Sequence, residues 1–600
     1  MSENEVTNEQ PLKPIPLGVS SWLKMVRRNK LTVDKTAKLG LLVNFFDCVF
    51  FSRPRRMGKT ILCSMLKELF THGDQNFAGT AIYGNWPETQ TYPVISLSFY
   101  GVDCQNASTF EANLCKIVSD AYYDAGFKDA MKLIGTTSFD RLTSLLKGIV
   151  NDDDQQLVFL IDEWDYPLSS HLDDPQLFAS LQSVLAKFYS WLRLQNANAR
   201  FILITGIMRY RETSLFTGQD IRDLSMHPRY ADLVGYTKEE IEQSFKRYIP
   251  LAAKKMGITT DELWEQLELN YDGFCFDHQA SVKLYNPFSI NKFFASVANP
   301  NFLSNSSLQL TFEPFWMGSA GASAALRSFL NVRKYDVTKL LETYSKPVII
   351  HNNTMTSPVR ANEVTLDQIL VQSGMLSIKE IAAEPMPSST AATRSYKCEL
   401  TNYEVASEFR TVLLAYMTNS NEKVIYHKLL LVQKALLIGD IAKLGNSLNQ
   451  LLCNSRYDVF DEDDDKKERV YRTFFKLCMM SYLVNASDEV SNNHGRCDLV
   501  AKTNDTIYAF ELKRIQSDTS EAKFNLLDEA EQQMVKNDYG NNLIEEGKLL
   551  IWVVLVISDK YRQVCAWRTI KRTYSAAGTQ IERHDGLVEP IKVENQEEAK

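Results

Sequence analysis

Residues 45–70 read FFDCVFFSRPRRMGKTILCSMLKELF, and the order within this stretch decides the fold. The aromatic and β-branched run at 45–51 has the composition of a buried strand. SRPRRMGKT follows, then ILCSMLKELF, whose apolar residues recur at helical spacing. In a strand–loop–helix unit of this kind, main-chain N–H groups at the helix start point at an anion, and the helix dipole favours it. Lys59 then neutralises the β- and γ-phosphates of a nucleotide, and the Thr60 hydroxyl ligates Mg2+. The Walker A pattern wants a glycine five residues before Gly58, where this chain has Arg53. The loop instead carries Arg53, Arg55 and Arg56, three cations expected to strengthen anion binding.

Working outward, the runs at 157–161 (LVFLI) and 201–205 (FILIT) are continuously apolar, as in strands buried on both faces of a parallel sheet. Residues 94–99 (VISLSF) are a further strand candidate. Helical patterns, such as that over 109–150, separate these runs, so the reading is α/β with a parallel sheet. Asp162 and Glu163 end the LVFLI run. A carboxylate at a buried strand's C-terminal end, beside a phosphate loop, holds the Mg2+ water shell, and Glu163 next to it polarises an attacking water. A solvated Asp-Glu pair is the alternative. Thr205 ends FILIT where a polar sensor of the nucleotide is expected, although a threonine after a strand is more often structural. Asp34-Lys35-Thr36 and Tyr271-Asp272-Gly273-Phe274 have no mechanism in composition; Asp34 reads as a helix cap and Gly273 as a tight turn.

Residues 237–300 look helical and 301–454 are mostly helical by pattern. After an acidic run at 461–469 the character changes. GRCDLVAKTNDTIYAFELKR, starting at Gly495, reads as a hairpin of two strands, followed by a helix near 520–538 and a buried strand at 549–557 (LLIWVVLVI). Period-two alternation puts Glu511 and Lys513 on one strand face, and a hairpin brings Asp498 opposite it. Carboxylate oxygens are the hard ligands Mg2+ prefers. A metal so held activates water, while Lys513 positions that water or neutralises developing charge. Glu468, on the preceding helix, is a candidate third acid, with Glu489 its competitor. Gln533 is placed to hydrogen-bond within the site and Arg496 to touch a phosphate. A solvent-facing Glu-Lys pair is the alternative reading of E-x-K.

Six hundred residues exceed one ordinary core and imply two to four domains, since a domain takes about 150 residues. With 44% hydrophobic and 23% charged residues, a wholly disordered or fibrous chain is excluded. A net charge of -8 argues against coating DNA through bulk basicity, though not against local basic patches. The ten cysteines form no C-x-x-C pair and read as reduced core residues in a reducing, cytoplasmic setting. The N-terminus shows no secretory signal, and no apolar run reaches the ~18 residues of a membrane span, so no membrane partner is expected.

The stretches PIPLGVSSW, VDKT, SRPRRMGKT, FLIDEWDYPL, ILITGIMRYRETSLFTG, VGYTKEE, YDGFCF and YNPFSI together resemble the AAA-ATPase-like family, over roughly residues 14–295. GRCDLV, YAFELK and the helix with AEQQM and Tyr539 are similar to the PD-(D/E)XK nuclease domain that commonly accompanies it, over about 455–570. The resemblance implies a P-loop ATPase-like domain (14–236) with a helical lid (237–300), a helical middle region (301–454) and an α/β restriction-endonuclease-like domain (455–585). Residues 1–13 and 586–600 are expected to be disordered or polar tails. It further implies Lys59, Thr60, Asp162 and Glu163 as the nucleotide site, and Asp498, Glu511 and Lys513 as a metal-site core flanked by Glu468 and Gln533. Arginine in place of the first glycine is typical of the family, whose members are bacterial. The implied function is an ATP-binding, Mg2+-dependent nuclease acting on DNA or RNA, with homo-oligomers open. The alternative is a nucleotide-bound switch or scaffold that hydrolyses nothing.

Overall fold

The computed structural model describes residues 11–591 except 151–154, 211–220, 298–309, 317–321, 334, 358–359, 361–362, 384–393, 457–463, 481–483, 492–494, 518, 538, 540–547 and 576–577. The chain divides into two compact units, Met1–Arg333 with Tyr344–Glu408, and Lys334–Thr343 with Phe409–Lys600. The stretch 301–454, expected as one region, is therefore shared between them. The expected terminal tails fall largely on residues 1–10 and 592–600, outside the described residues; Leu12 packs against a core cluster and Val588 is buried.

In the first unit five parallel strands, β1 (Cys48–Ser52), β2 (Val94–Ser98), β3 (Leu157–Asp162), β4 (Ala199–Gly206) and β5 (Arg222–Asp223), lie in the order β2-β3-β4-β1-β5. Every residue of β1 and β3 is buried, which is why both read as unbroken apolar runs. The helix Lys59–His72 follows β1, burying Leu62, Met65, Leu66, Leu69 and Phe70 on one stripe before ending at Gly73. Because β4 lies between β1 and β3, the phosphate loop, Thr205 and Asp162 all emerge at the C-terminal edge of adjacent strands.

Beyond the sheet, the helices Lys238–Ser244, Ile249–Met256, Thr260–Tyr271 and Pro287–Val297 share one apolar cluster. Thr237 and Thr259 each start a helix with a capping box, which explains the T-K-E-E spacing. Asn286 Oδ1 accepts from the Phe288 and Ser289 amides ahead of Pro287, so N-P-F-S is a helix start. The rest of this unit is mostly helical, as expected. It also holds an antiparallel sheet β6-β8-β7 of β6 (Val348–His351), β7 (Leu376–Ala383) and β8 (Ser395–Leu400), which no clean alternation announces.

The second unit is built on one mixed sheet: β9 (Asn485–Ser491), β10 (Arg496–Lys502), β11 (Thr506–Ile515), β12 (Leu549–Ser558), β13 (Gln563–Ser575) and β14 (Gly578–Leu587), in the order β14-β13-β12-β11-β10-β9. β10 and β11 form the expected antiparallel hairpin. β11 and β12 are parallel, joined through the helix Ser520–Lys536, whose Leu527, Ala530 and Met534 pack with Ala509, Trp552 and Val554. The flanking strands β9, β13 and β14 were not foreseen. All ten cysteines are free and nine are buried. Among the described residues no helix is long and apolar enough to cross a membrane.

Candidate functional site

Gly58 has φ +108, a value that favours glycine, and it opens the helix Lys59–His72 with no side-chain cap. The first-turn N–H groups of that helix therefore need a partner from outside it. The Thr60 hydroxyl donates to Asp162 Oδ2 at 2.6 Å, and the buried Thr205 hydroxyl donates to Asp162 Oδ1 at 3.1 Å. Thr205 thus holds the carboxylate in place. Lys59 donates to the Arg53 and Pro54 carbonyls at 2.9 and 3.1 Å, a back-folded pose within its own loop. Glu163 stands at φ +54 beside them; burial raises its pKa, against the pull of Lys59 and Arg55.

A cavity of about 370 Å³ opens on this loop. Gly58, Lys59, Thr60 and Glu163 line it together with Trp22, Leu31, Val234 and Phe288. Of the three loop arginines only Arg56 lines it, with its guanidinium over the Phe288 ring at 3.9 Å and donating to the Phe315 carbonyl.

Arg53 corrects the expectation of three phosphate-facing cations. It is 1% exposed and donates to the carbonyls of Ser52, Ser225 and Ala231 at 2.8, 2.6 and 3.1 Å, between the Phe51 and Phe276 rings. A glycine could not make these ties, so here arginine is a structural residue that knits the loop to the chain after β5. Arg55 lies near the Tyr100 and Tyr166 rings and is no part of the cavity wall.

The family stretches that composition left unexplained are mostly scaffold. Asp34 accepts from the Thr36 and Ala81 amides, and Lys35 pairs with Glu240 at 2.6 Å. Asp165, at 2% exposure, accepts from the Ile207 and Met208 amides and fixes the chain leaving β4. Gly206 is obligatory, because a Cβ would lie 2.2 Å from Trp164. Gly273 sits at φ +93 with the Thr401 carbonyl 2.5 Å from where its Cβ would be.

In the second unit the β10–β11 ladder runs from Lys502↔Ile507 to Leu499↔Phe510. At the next position Asp498 turns its carboxylate to the partner strand, and Oδ2 accepts the Leu512 amide at 2.8 Å. Glu511 Oε1 receives Lys513 Nζ at 2.7 Å, and the same ammonium donates to Gln533 Oε1 at 2.8 Å. Gln533 Nε2 in turn donates to the Tyr539 hydroxyl at 3.1 Å. Asp498, Glu511, Lys513 and Gln533 therefore come together on one side of the sheet. Burial, then the Asp498 charge, raises Glu511; burial also raises Asp498, against its bond to the Leu512 amide. Burial is the largest single effect on Lys513 and works to lower it, but the bond to Glu511 together with the charges of Glu511, Asp498 and Glu468 makes the net shift upward.

Glu468 is within charge range of this cluster, and it adds to the upward shifts of Asp498, Glu511 and Lys513. It is about half exposed and 4.0 Å from Arg472, and among the described residues no group of three or more His, Cys, Asp or Glu forms a ready metal cluster. Arg472, which sequence reading missed, lies 3.7 Å from Asp498 Oδ1 and one helical turn from Glu468. Arg496 starts β10 and is exposed. The Glu489 side chain lies outside the described residues. Gly495 is needed because a Cβ would lie 2.9 Å from the Asn537 side chain.

The first unit thus has the parallel sheet, Gly-Lys-Thr loop and strand-end carboxylate of a P-loop nucleotide-binding domain, and the second has the hairpin, crossover helix and D…E-x-K arrangement of a nuclease-like domain. Residues 16–216 match the family described as "Predicted AAA-ATPase", and residues 466–567 match the PD-(D/E)XK nuclease superfamily. These matches support nucleotide binding and a nuclease-like function for the two parts of the chain. The chain is also similar to an "Uncharacterized protein in vnfD 5'region" from Azotobacter chroococcum mcd 1, 23% identical over 513 residues, which span 84% of this chain and 90% of that relative.

Proposed function

We propose that the first unit binds ATP with Mg2+ at the Gly58-Lys59-Thr60 cradle, and that the second is a Mg2+-dependent nuclease cutting nucleic-acid phosphodiesters under control of that nucleotide. The observation that carries the nuclease reading is the meeting of Asp498, Glu511 and Lys513 on one sheet side. Glu511 Oε2 is buried with no hydrogen-bond partner among the described residues, so the site retains an acceptor of the hard type that Mg2+ takes. Two carboxylates suit an ion that keeps several of its own waters. When bound, the ion would polarise the scissile phosphate and acidify a water.

The chain's own groups do the rest. The Leu512 amide fixes the Asp498 carboxylate, while Gln533 steers Lys513 so that its ammonium offsets charge building on the phosphate. In the first unit, Thr60 and Asp162 offer the oxygens that suit a nucleotide's Mg2+, and Lys59 swings from its loop carbonyls to the phosphates. A non-hydrolysing switch is favoured by one feature: burial pushes Glu163 toward its protonated form, a poor base until the nucleotide site reorganises.

The reading is tested by incubating the purified protein with single- and double-stranded DNA and RNA, with Mg2+ or EDTA, and with ATP, ADP or neither. Mg2+-dependent cleavage that changes with the nucleotide supports it. Cleavage indifferent to nucleotide removes the regulatory part, and no cleavage of any substrate favours the scaffold.

A further inference from the structure

The cavity beside the phosphate loop has a second polar feature in its wall. Asn291, on the lid helix Pro287–Val297, lines its wall and is 8% exposed. Its Nδ2 donates to the Tyr236 hydroxyl at 3.4 Å. Tyr236 is itself anchored, because it exchanges two main-chain hydrogen bonds with Tyr285, at 3.1 and 2.8 Å. The hydrogen bond to the Tyr236 hydroxyl occupies Nδ2, and Oδ1 is left as the free end. Among the described residues Oδ1 is buried without any hydrogen-bond partner. Buried amide oxygens are seldom left unsatisfied, so a bare acceptor in a cavity wall marks a ligand donor.

The remaining wall fits a purine ring. Trp22, Met25, Leu31, Val33, Val234 and Phe288 supply apolar surface, and about 370 Å³ lies within the range of small-molecule sites. Phe288 stands one helical turn before Asn291, so both project from the same helix face. With phosphates at the cradle, the base is the part of the nucleotide left to meet this wall.

Resting on the nucleotide reading above, we infer that Asn291 is a specificity-determining residue that recognises adenine, with Oδ1 accepting a hydrogen from the exocyclic 6-amino group. Guanine presents a carbonyl oxygen at that position, which would face a second acceptor and leave both buried and unpaired. The cavity accordingly selects ATP over GTP, and base recognition comes from the lid helix rather than from the sheet.

The test is calorimetric titration of the full chain with ATP, GTP and purine riboside triphosphate, which lacks only the 6-amino group. The wild type should bind ATP at least roughly tenfold tighter than GTP, and about fivefold tighter than the des-amino analogue. Asn291→Leu, of similar volume, should bring ATP down to the level of the analogue and leave the analogue's own affinity unchanged. Equal affinity for all three ligands in the wild type, or tighter GTP than ATP, overturns the inference while leaving the cavity as a nucleotide site. An ATP preference that survives in Asn291→Leu overturns it as well. Failure of all three to bind removes the cavity reading itself. The comparison of ligands in the wild type stands even if the variant fails to fold.

Discussion

Asp498 on β10 is tied to Leu512 on β11, one residue past the position opposite it, and the bond is side chain to main chain: Oδ2 accepts the Leu512 amide at 2.8 Å. The carboxylate carries on the ladder beyond the Leu499↔Phe510 pair. A residue expected only to hold metal thus also closes the strand pair on which the metal site is built. The two roles separate by mutation. Asp498→Asn keeps an acceptor for Leu512 and should stay within about 1 kcal/mol of wild-type stability, whereas Asp498→Ala orphans a buried N–H and should cost about 1–3 kcal/mol. Urea denaturation measures both. Mg2+ should raise the unfolding temperature of the wild-type second unit and leave that of Asp498→Asn unmoved, by mass action on the folded state.

Lys59→Ala removes the cation that meets the phosphates. ATP affinity should fall at least about tenfold in calorimetry, with the fold checked by circular dichroism. Glu163→Gln should keep ATP bound and slow any phosphate release. A wild type that releases no phosphate would leave this substitution without effect and favour the switch.

Arg53→Gly would turn the loop into a regular Walker sequence. Because Arg53 donates to four buried main-chain carbonyls, the change should destabilise the first unit by about 2–4 kcal/mol. Arg53→Lys should not restore it, since a single ammonium cannot span the same acceptors. A thermal melt equal to wild type for Arg53→Gly would show that those ties are dispensable.

Glu404 gives a pH dependence with a definite sign. It is buried, accepts from Ser289 Oγ at 3.0 and 2.7 Å and from the Trp316 amide at 2.6 Å, and burial pushes its carboxyl up to about 8. Between the ordinary carboxylate range and about pH 8 the folded chain keeps a proton that the unfolded chain has released. Stability should therefore fall as pH rises through that window, by up to a few kcal/mol, and level off above it. Chemical denaturation at pH 5, 6, 7 and 8 should show a shallower slope for Glu404→Gln than for wild type. Parallel slopes would show that Glu404 is not the group responsible.

Much of this architecture is legible in the sequence because burial on both faces leaves unbroken apolar runs. β1, β3, β4 and β12 all read that way. The D…E-x-K face follows from strand period together with the β10–β11 hairpin. What stayed hidden depends on long-range contact. The guanidinium of Arg53 looks like a phosphate ligand until the carbonyls of Ser225 and Ala231, far along the chain, are seen around it. Arg472 carries a signal that could have been used, since it follows Glu468 by four residues on one helix and so shares its face. β9 (NASDEVS) has too little apolar alternation to announce itself, and Asn291 is one asparagine in a helix until Tyr236 and the cavity wall surround it.

The nuclease reading is tested most directly by Mg2+-dependent cleavage of DNA and RNA by the wild type and Asp498→Asn, with ATP affinity measured on the same preparations. The account predicts cleavage that needs Mg2+, is abolished in Asp498→Asn, and is lost while ATP binding stays unchanged. Cleavage by Asp498→Asn at the wild-type rate, or a wild type that cuts no nucleic acid with Mg2+ and ATP present, would contradict it.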